Sequence, residues 1–237
     1  METTKVQGRR SVLITGGSSG LGAETARRLL GAGHLVAITG RDAGRLRAFA
    51  SAAGDPEGLQ LIQGDATDAA AVEEAVAQTV ARFGGLDVAI ANAGFSTHDS
   101  LATGDPAKWR EMVLTNVLAP ALLVKAALRP IVASKGRFVF VGSAAGFKNS
   151  PGNMYSVTKW AVTALAENTR LLVAAEGVGV TLIAPGRADT AFWGERGRPE
   201  GPMLTGAQVA ETIAWVIAQP PNVDVNSVIV RPTGQVA

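Results

Sequence analysis

Thr15-Gly16-Gly17-Ser18-Ser19-Gly20-Leu21-Gly22 follows directly on an apolar run at 12–15 and opens a helical window at 20–30. Glycines at these positions allow positive φ and let a ligand approach the backbone. The helix N-terminus behind them offers unpaired N–H groups suited to a pyrophosphate. A glycine-rich strand–helix connection can also exist without a ligand. Here, though, the strand and the helix stand on the two sides that a phosphate cradle requires.

Outward from this turn, short apolar runs at 35–39, 60–63, 87–91, 137–141, 179–183 and 227–230 alternate with helical windows at 43–52, 69–82, 106–116, 120–134, 154–175 and 206–218. Most of the runs are continuous rather than alternating, as in strands covered on both faces. The alternation predicts βαβ units and an α/β fold, with a doubly wound, parallel, seven-stranded Rossmann-type sheet carrying helices on both faces. Thr67 or Asp68 is expected to cap the helix at 69, and Gly177 to end the long one before it. The one long irregular stretch, 190–205, reads as a short lid after the sixth strand. At about 150 residues per domain, 237 residues are expected to form a single dinucleotide-binding domain, 1–237.

Composition narrows the chemistry further. There is no Cys, which excludes disulfides, thiolate metal sites and a Cys nucleophile and is compatible with a cytoplasmic location. The two His residues, His34 and His98, leave little for a metal site or a Ser-His-Asp triad, so no metal is expected. The net charge of +2, with scattered basic residues, speaks against a nucleic-acid partner. The polar start METTKVQGRR lacks a signal-peptide core. The longest apolar stretch, 117–124, is broken by Pro120 and closed by Lys125, too short to span a bilayer. A soluble chain with no membrane partner is the expectation.

The group that reads an adenosine ribose is expected about 20 residues beyond the turn. There the second strand ends Ile38-Thr39-Gly40-Arg41, with Asp42 one place later. An acid accepts from a free 2′-hydroxyl, whereas the planar fork of Arg suits a 2′-phosphate. Arg41 therefore favours NADP(H). A register shift presenting Asp42 would favour NAD(H), and both residues could be solvated starts of the next helix.

Tyr155, the only Tyr in the chain, and Lys159 are placed on one helix face in Tyr-Ser-Val-Thr-Lys. A phenol with a pKa of about 10 is a poor acid–base group near neutrality, and an adjacent ammonium is expected to draw that value down. Such a phenol could give its proton to a carbonyl oxygen. Ser143, just after the run 137–141, could polarise the same oxygen. Alone, a Tyr–Lys pair at this spacing is more often an ordinary surface pair.

With the glycine turn upstream, the ordered motifs resemble the short-chain dehydrogenase/reductase family, in its single-domain branch of about 250 residues. The resemblance covers nearly the whole chain. It implies that Gly16, Ser18, Ser19, Gly20, Leu21 and Gly22 cradle the cofactor, that Asp65 and Ala66 of Gly-Asp-Ala-Thr-Asp lie at its adenine, and that Asn92, Ala93 and Gly94 follow along it. The family's Asn-Asn-Ala-Gly is here Ala91-Asn92-Ala93-Gly94, one Asn short. Pro185, Gly186 and Thr190 match its nicotinamide side. Asn116, Ser143, Tyr155 and Lys159 match its catalytic tetrad, which implies hydride transfer between the nicotinamide and a carbonyl or alcohol carbon. In that scheme Tyr155 is the acid or base, Lys159 also holds the nicotinamide ribose, and Asn116 supports a water-linked proton relay. Ser143 precedes Tyr155 by 155 − 143 = 12 residues, one fewer than is common in the family. The shorter loop through 147–152 is expected to reshape the substrate pocket rather than displace Ser143.

The implied activity is an NADP(H)-dependent ketone or aldehyde reductase. Alternatives are an NAD(H)-dependent alcohol or 3-hydroxy acid dehydrogenase and, more remotely, a non-catalytic dinucleotide-binding regulator. Epimerases of the longer family branch need a further domain for which the chain has no length. Phe95, Ser96, Ala145, Phe147, Asn149, Ala188, Phe192 and Trp193 are the candidate substrate-pocket residues. Phe192 and Trp193 suit an apolar or ring-bearing substrate or simply pin the lid; Arg187 and Lys148 could meet a carboxylate or only water. The tail Val-Ile-Val-Arg-Pro-Thr-Gly-Gln ending at Gln235 is similar to a sub-branch of NADP-dependent 3-hydroxy acid dehydrogenases and clavulanic-aldehyde-type reductases. Trp160, Leu165 and Leu172 on the Tyr155 helix leave apolar surface for a homodimer or homotetramer, as is common in the family.

Overall fold

Both faces of the central apolar runs are covered, while the edge runs 59–63 and 227–230 are only partly so, in the computed structural model, which describes residues 8–235. Most of the polar start read above lies outside the described residues. In chain order the elements are β1 (Ser11–Ile14), α1 (Gly20–Gly31), β2 (Leu35–Gly40), α2 (Ala43–Ala52), β3 (Leu59–Gln63), α3 (Ala69–Phe83), β4 (Val88–Ala91), α4 (Pro106–Val113), α5 (Ala119–Ser134), β5 (Arg137–Val141) and α6 (Met154–Val173). They continue with β6 (Gly179–Pro185), β7 (Ala188–Asp189), β8 (Leu204–Thr205), α7 (Gly206–Ile217) and β9 (Ser227–Val230).

Seven strands form one parallel sheet in the order β3-β2-β1-β4-β5-β6-β9. Two apolar clusters sandwich it. Leu13, Phe138 and Phe140 face α3, α5 and α6 on one side, and Ile14, Ile38, Ile90 and Ile183 face α1 and α7 on the other. All seven of these side chains are essentially inaccessible, each contributing about 2 kcal/mol relative to exposure. The winding reverses between β1 and β4, so a crevice opens at the carboxyl ends of these two strands, where such sheets bind ligands. Thr15 ties them at that edge: its N–H donates to Ile90 O at 3.0 Å, and its hydroxyl accepts from Asn92 N at 3.1 Å. At the opposite edge Asp87 accepts from Ser11 N and Oγ at 2.8 and 2.9 Å, and buried Arg137 meets Asp224 at 3.3 Å.

Two expectations change. Helices were expected at 106–116 and 120–134 with a break between; instead α4 and α5 are joined by a π turn, Leu114–Leu118, into one helix, Pro106–Ser134. The wider turn, in which Ala119 N bonds Leu114 O, takes in Pro120 without ending the helix. By length and composition the joined helix could cross a membrane, contrary to the reading of 117–124 alone. It lays Leu123, Ala127 and Ile131 on the sheet, each at most 1% exposed, as a core helix does. Nor is 190–205 wholly irregular. It begins with a 3₁₀ segment, Ala191–Arg196, and ends in β8, which pairs with β7.

Candidate active site

The glycine turn takes the shape its sequence demands, with Gly16 at φ 66° and Gly20 at φ 54°. Ser19 is the N-cap of α1 in an extended conformation, yet its side chain makes no capping bond and the first turn holds no acid. By contrast, Asp42, Asp68, Asp105, Asn153 and Thr205 each spend a side-chain oxygen capping the helix they precede. The start of α1 thus presents its N–H groups and the Ser19 hydroxyl to the crevice, which is what an anionic ligand needs.

Gly22 serves the turn differently from the expectation. It does not line the crevice; a Cβ there would lie 2.4 Å from both Asn92 Nδ2 and Gly16 O. The Asn92 amide occupies that space, donating to Thr15 O and Gly16 O at 3.0 Å each. Gly22 and Asn92 therefore hold the cradle in shape, although Asn92 also reaches the crevice wall.

The crevice is a cleft of about 1110 Å³. At one end it is lined by Gly16, Ser18, Ser19, Gly20, Leu21, Arg41, Asp65 and Ala66, and along its length by Ala93, Gly94 and Phe95. At the other end stand Ser143, Ala145, Tyr155 and Lys159, with Pro185, Gly186, Ala188, Thr190, Phe192 and Trp193 on the β6 side. Asp65 is folded into its own turn, its Oδ1 accepting from Thr67 N and Oγ1 at 2.9 Å each, while Asp68 caps α3. Besides Gly22, three expected residues lie off the cleft. Phe147 turns inward against the core, Asn149 is exposed beyond the rim, and Asn116 is buried behind the wall.

The loop after β5 is seated on α6 by Ser156, whose hydroxyl donates to Ala145 O at 2.7 Å and Lys148 O at 3.1 Å. This anchor lets the shorter loop keep Ser143 within hydrogen-bonding reach of the Tyr155 phenol. Lys159 is buried, donates from Nζ to Val141 O at 2.9 Å, and lies 5.7 Å from the centre of the Tyr155 ring. The expected lowering of the phenol is therefore reversed. Burial pushes Tyr155 up to about 12, with the Ser143 hydrogen bond only partly offsetting it. Burial likewise pushes Lys159 down to about 8. Desolvation of both groups outweighs the attraction of an ammonium whose nearest polar contact is a backbone carbonyl.

His98 completes this end of the cleft and had no site role in the sequence reading. At φ 55° its ring stacks on Trp193 at 5.7 Å and meets the edge of Phe192 at 5.0 Å, while Nε2 lies 3.0 Å from Phe192 O. Phe192 in turn sits 5.4 Å from the Tyr155 ring, and Trp193 donates to Ala188 O at 2.8 Å. Phe192 thus roofs the phenol, while Trp193 pins the lid behind it. Arg187 donates to Glu200 O at 2.8 Å within the lid, and Lys148 lines the cleft. Arg45, Asn153 and Gln235 also reach the walls. Their approach depends on packing between distant segments, for which the sequence carries no local signal.

A parallel sheet whose switch-point cleft joins an uncapped glycine turn to a Tyr–Ser pair backed by a buried Lys defines a dinucleotide-dependent oxidoreductase. Comparison with known proteins agrees. Residues 10–201 match the short chain dehydrogenase family. An uncharacterized oxidoreductase of Staphylococcus saprophyticus is 31% identical over 224 residues, covering 93% of this chain and 96% of that protein. Among solved structures, an alcohol dehydrogenase from the archaeon Thermococcus sibiricus complexed with 5-hydroxy-NADP superposes with a TM-score of 0.86 at 28% identity, covering 96% of this chain and 98% of that one. A serine dehydrogenase complexed with NADP+ gives a TM-score of 0.85 at 29% identity, covering 92% and 93%. The chain belongs to the short-chain dehydrogenase family and is an oxidoreductase.

Proposed function

We propose that the protein is an NADP(H)-dependent reductase of ketones or aldehydes, running in reverse as a dehydrogenase of the corresponding alcohols. The observation that carries the reaction is the half-buried Tyr155 beside Ser143, at the far end of the cleft from the glycine turn. NADP(H), when bound, supplies or accepts the hydride. The chain's own part is acid–base and positional. Ser143 offers a hydroxyl to the substrate oxygen, and Tyr155 holds the proton that this oxygen needs. Lys159 keeps a positive charge behind the phenol below a pH of about 8. The aromatic roof of His98, Phe192 and Trp193 excludes water and suits a ring-bearing or otherwise apolar carbonyl compound. Lys148 is the cation at the rim that a carboxylate-bearing substrate would meet.

For the cofactor, the disposition of Asp42 supports the phosphorylated form. Its carboxylate accepts from Arg45 N at 3.1 Å as the cap of α2, and that bond holds it below the usual carboxylate range. Arg41 and Arg45 flank it at the cleft mouth beside Ser18, where a 2′-phosphate would lie. The NADP-bound relatives point the same way. Arg41→Ala is expected to raise KM for NADPH by about tenfold, the scale of one charge-assisted contact, with KM for NADH little changed. Initial rates with both cofactors measure this directly. Equal effects on the two would overturn the 2′-phosphate assignment.

We also propose that the protein works as a homodimer or homotetramer. Val157, Trp160 and Leu172 on α6 and Leu118 in the π turn are 40–63% exposed, apolar side chains of the kind that an interface between subunits covers. Leu165, named with them from sequence, instead packs on the core. Light scattering at micromolar concentration is expected to give at least twice the 24.3 kDa chain mass. A monodisperse monomer would overturn it.

A further inference from the structure

The tail beyond β9 returns to the cleft. Pro232-Thr233-Gly234-Gln235 is a tight turn, with Gln235 N donating to Pro232 O at 3.1 Å and Gly234 at φ 88°, the geometry of a type II turn. The turn delivers the Gln235 side chain onto the backbone that follows β6. Its Oε1 accepts from Arg187 N at 2.9 Å. It lies so close to Gly186 that a Cβ there would be 2.3 Å from Oε1. Gly186 N is tied to the end of β9 as well, donating to Val230 O at 2.7 Å. Arg187, held in this way at its N–H, holds the lid with its remaining groups. Its carbonyl accepts from Leu204 N at 2.8 Å, and its guanidinium donates to Glu200 O at 2.8 Å. Gln235 and Gly186 both line the cleft on the side that faces Tyr155 rather than the Arg41 end.

We propose that Gln235 is a positioning residue, whose side-chain carbonyl fixes the turn at 185–187 and, through Arg187, the returning limb of the lid. This rests on the NADP(H) reading above, which puts the reactive half of the cofactor against that turn and the adenosine half at Arg41. Without the acceptor, Arg187 N–H loses its partner and the turn is free to drift from Tyr155. The adenosine end, built on β1, β2 and α1, is untouched. The tail therefore acts on one half of the dinucleotide site only.

The full-length wild type is compared with Gln235→Leu, which removes the acceptor, and Gln235→Glu, which keeps it. NADPH affinity is read by fluorescence titration, adenosine 2′,5′-bisphosphate affinity by competition, and kcat and KM with a carbonyl substrate. Gln235→Leu is expected to lose about tenfold in NADPH affinity or in kcat, the effect of one unpaired backbone donor. Adenosine 2′,5′-bisphosphate should bind within about twofold of wild type, and Gln235→Glu should recover most of the loss. Should Gln235→Leu fail to fold, Gln235→Asn, which withdraws the carbonyl by one methylene, is expected to show the same split. Wild-type behaviour of Gln235→Leu, equal weakening of both ligands, or no recovery in Gln235→Glu would each overturn the role of Gln235 alone. A wild type that binds neither NADPH nor the bisphosphate would overturn the cofactor reading and this proposal with it.

Discussion

Replacement of Tyr155 by Phe is expected to lower NADPH-dependent carbonyl turnover by about 10²–10⁴-fold, the range for removing a general acid. The phenol is the protonated group that reaches the reacting end of the cleft: burial keeps it up at about 12, so it stays a donor throughout the neutral range. Below about 8 the neighbouring Lys159 keeps its charge, and pH 7 is therefore the condition at which the donor and its ammonium are both in place. The ring itself packs against Phe192 at 5.4 Å, and Phe preserves that contact. Folding and the lid roof should accordingly be unchanged, and NADPH affinity should stay within about twofold, since no cradle residue is altered. Stopped-flow or steady-state loss of NADPH absorbance, with binding followed by fluorescence, separates the two quantities. Turnover at the wild-type level would remove Tyr155 from the acid role. Loss of NADPH binding in step with turnover would show that the hydroxyl holds the cofactor rather than the substrate oxygen.

The sign of the Tyr155 shift shows where sequence reading stops. Spacing four along a helix was enough to place Tyr155 and Lys159 in one cleft, because that relation is local. Whether the ammonium or the burial wins is not local: it depends on Val141 O taking the Lys159 proton donor and on Phe192 closing over the ring from a segment far along the chain. Gly22 follows the same division. The glycine spacing announced the turn, but the reason for this glycine is Asn92, delivered by β4. Helix and strand windows came out within a residue or two because burial on two faces writes continuous apolar runs into the sequence. The π turn at Leu114–Leu118 did not, since the extra residue shifts the apolar face by about 100° and, with a Pro at 120, reads as a break between two helices. Phe147 and Asn149, both expected in the pocket, lie elsewhere because Ser156 seats their loop on α6, with Phe147 against the core and Asn149 in solvent.

Asn116→Leu is expected to destabilise the protein by about 3 kcal/mol, which at this chain length lowers the melting temperature by roughly 6–12 °C. Asn116 is 1% exposed, and every polar atom of its amide is committed. Oδ1 accepts from Phe95 N at 3.0 Å, and Nδ2 donates to Phe95 O at 2.9 Å and to Thr158 Oγ1 at 3.0 Å. Leu fills a similar volume but abandons the Phe95 backbone in the interior, where each unsatisfied group costs about 1–3 kcal/mol. The catalytic consequence runs through Thr158, whose hydroxyl donates to Tyr155 O at 2.8 Å. This chain links the π turn to the first turn of α6, so the same substitution should let Tyr155 shift and lower kcat by about tenfold or more, since small misplacements are costly in a preorganised site. A positioning role predicts that the solvent deuterium isotope effect on kcat stays at its wild-type value while stability falls. A direct role in carrying protons predicts the opposite: an altered isotope effect with little change in melting temperature. The side chain faces Phe95 and Thr158 rather than the open cleft, and the first of these outcomes is therefore the expected one.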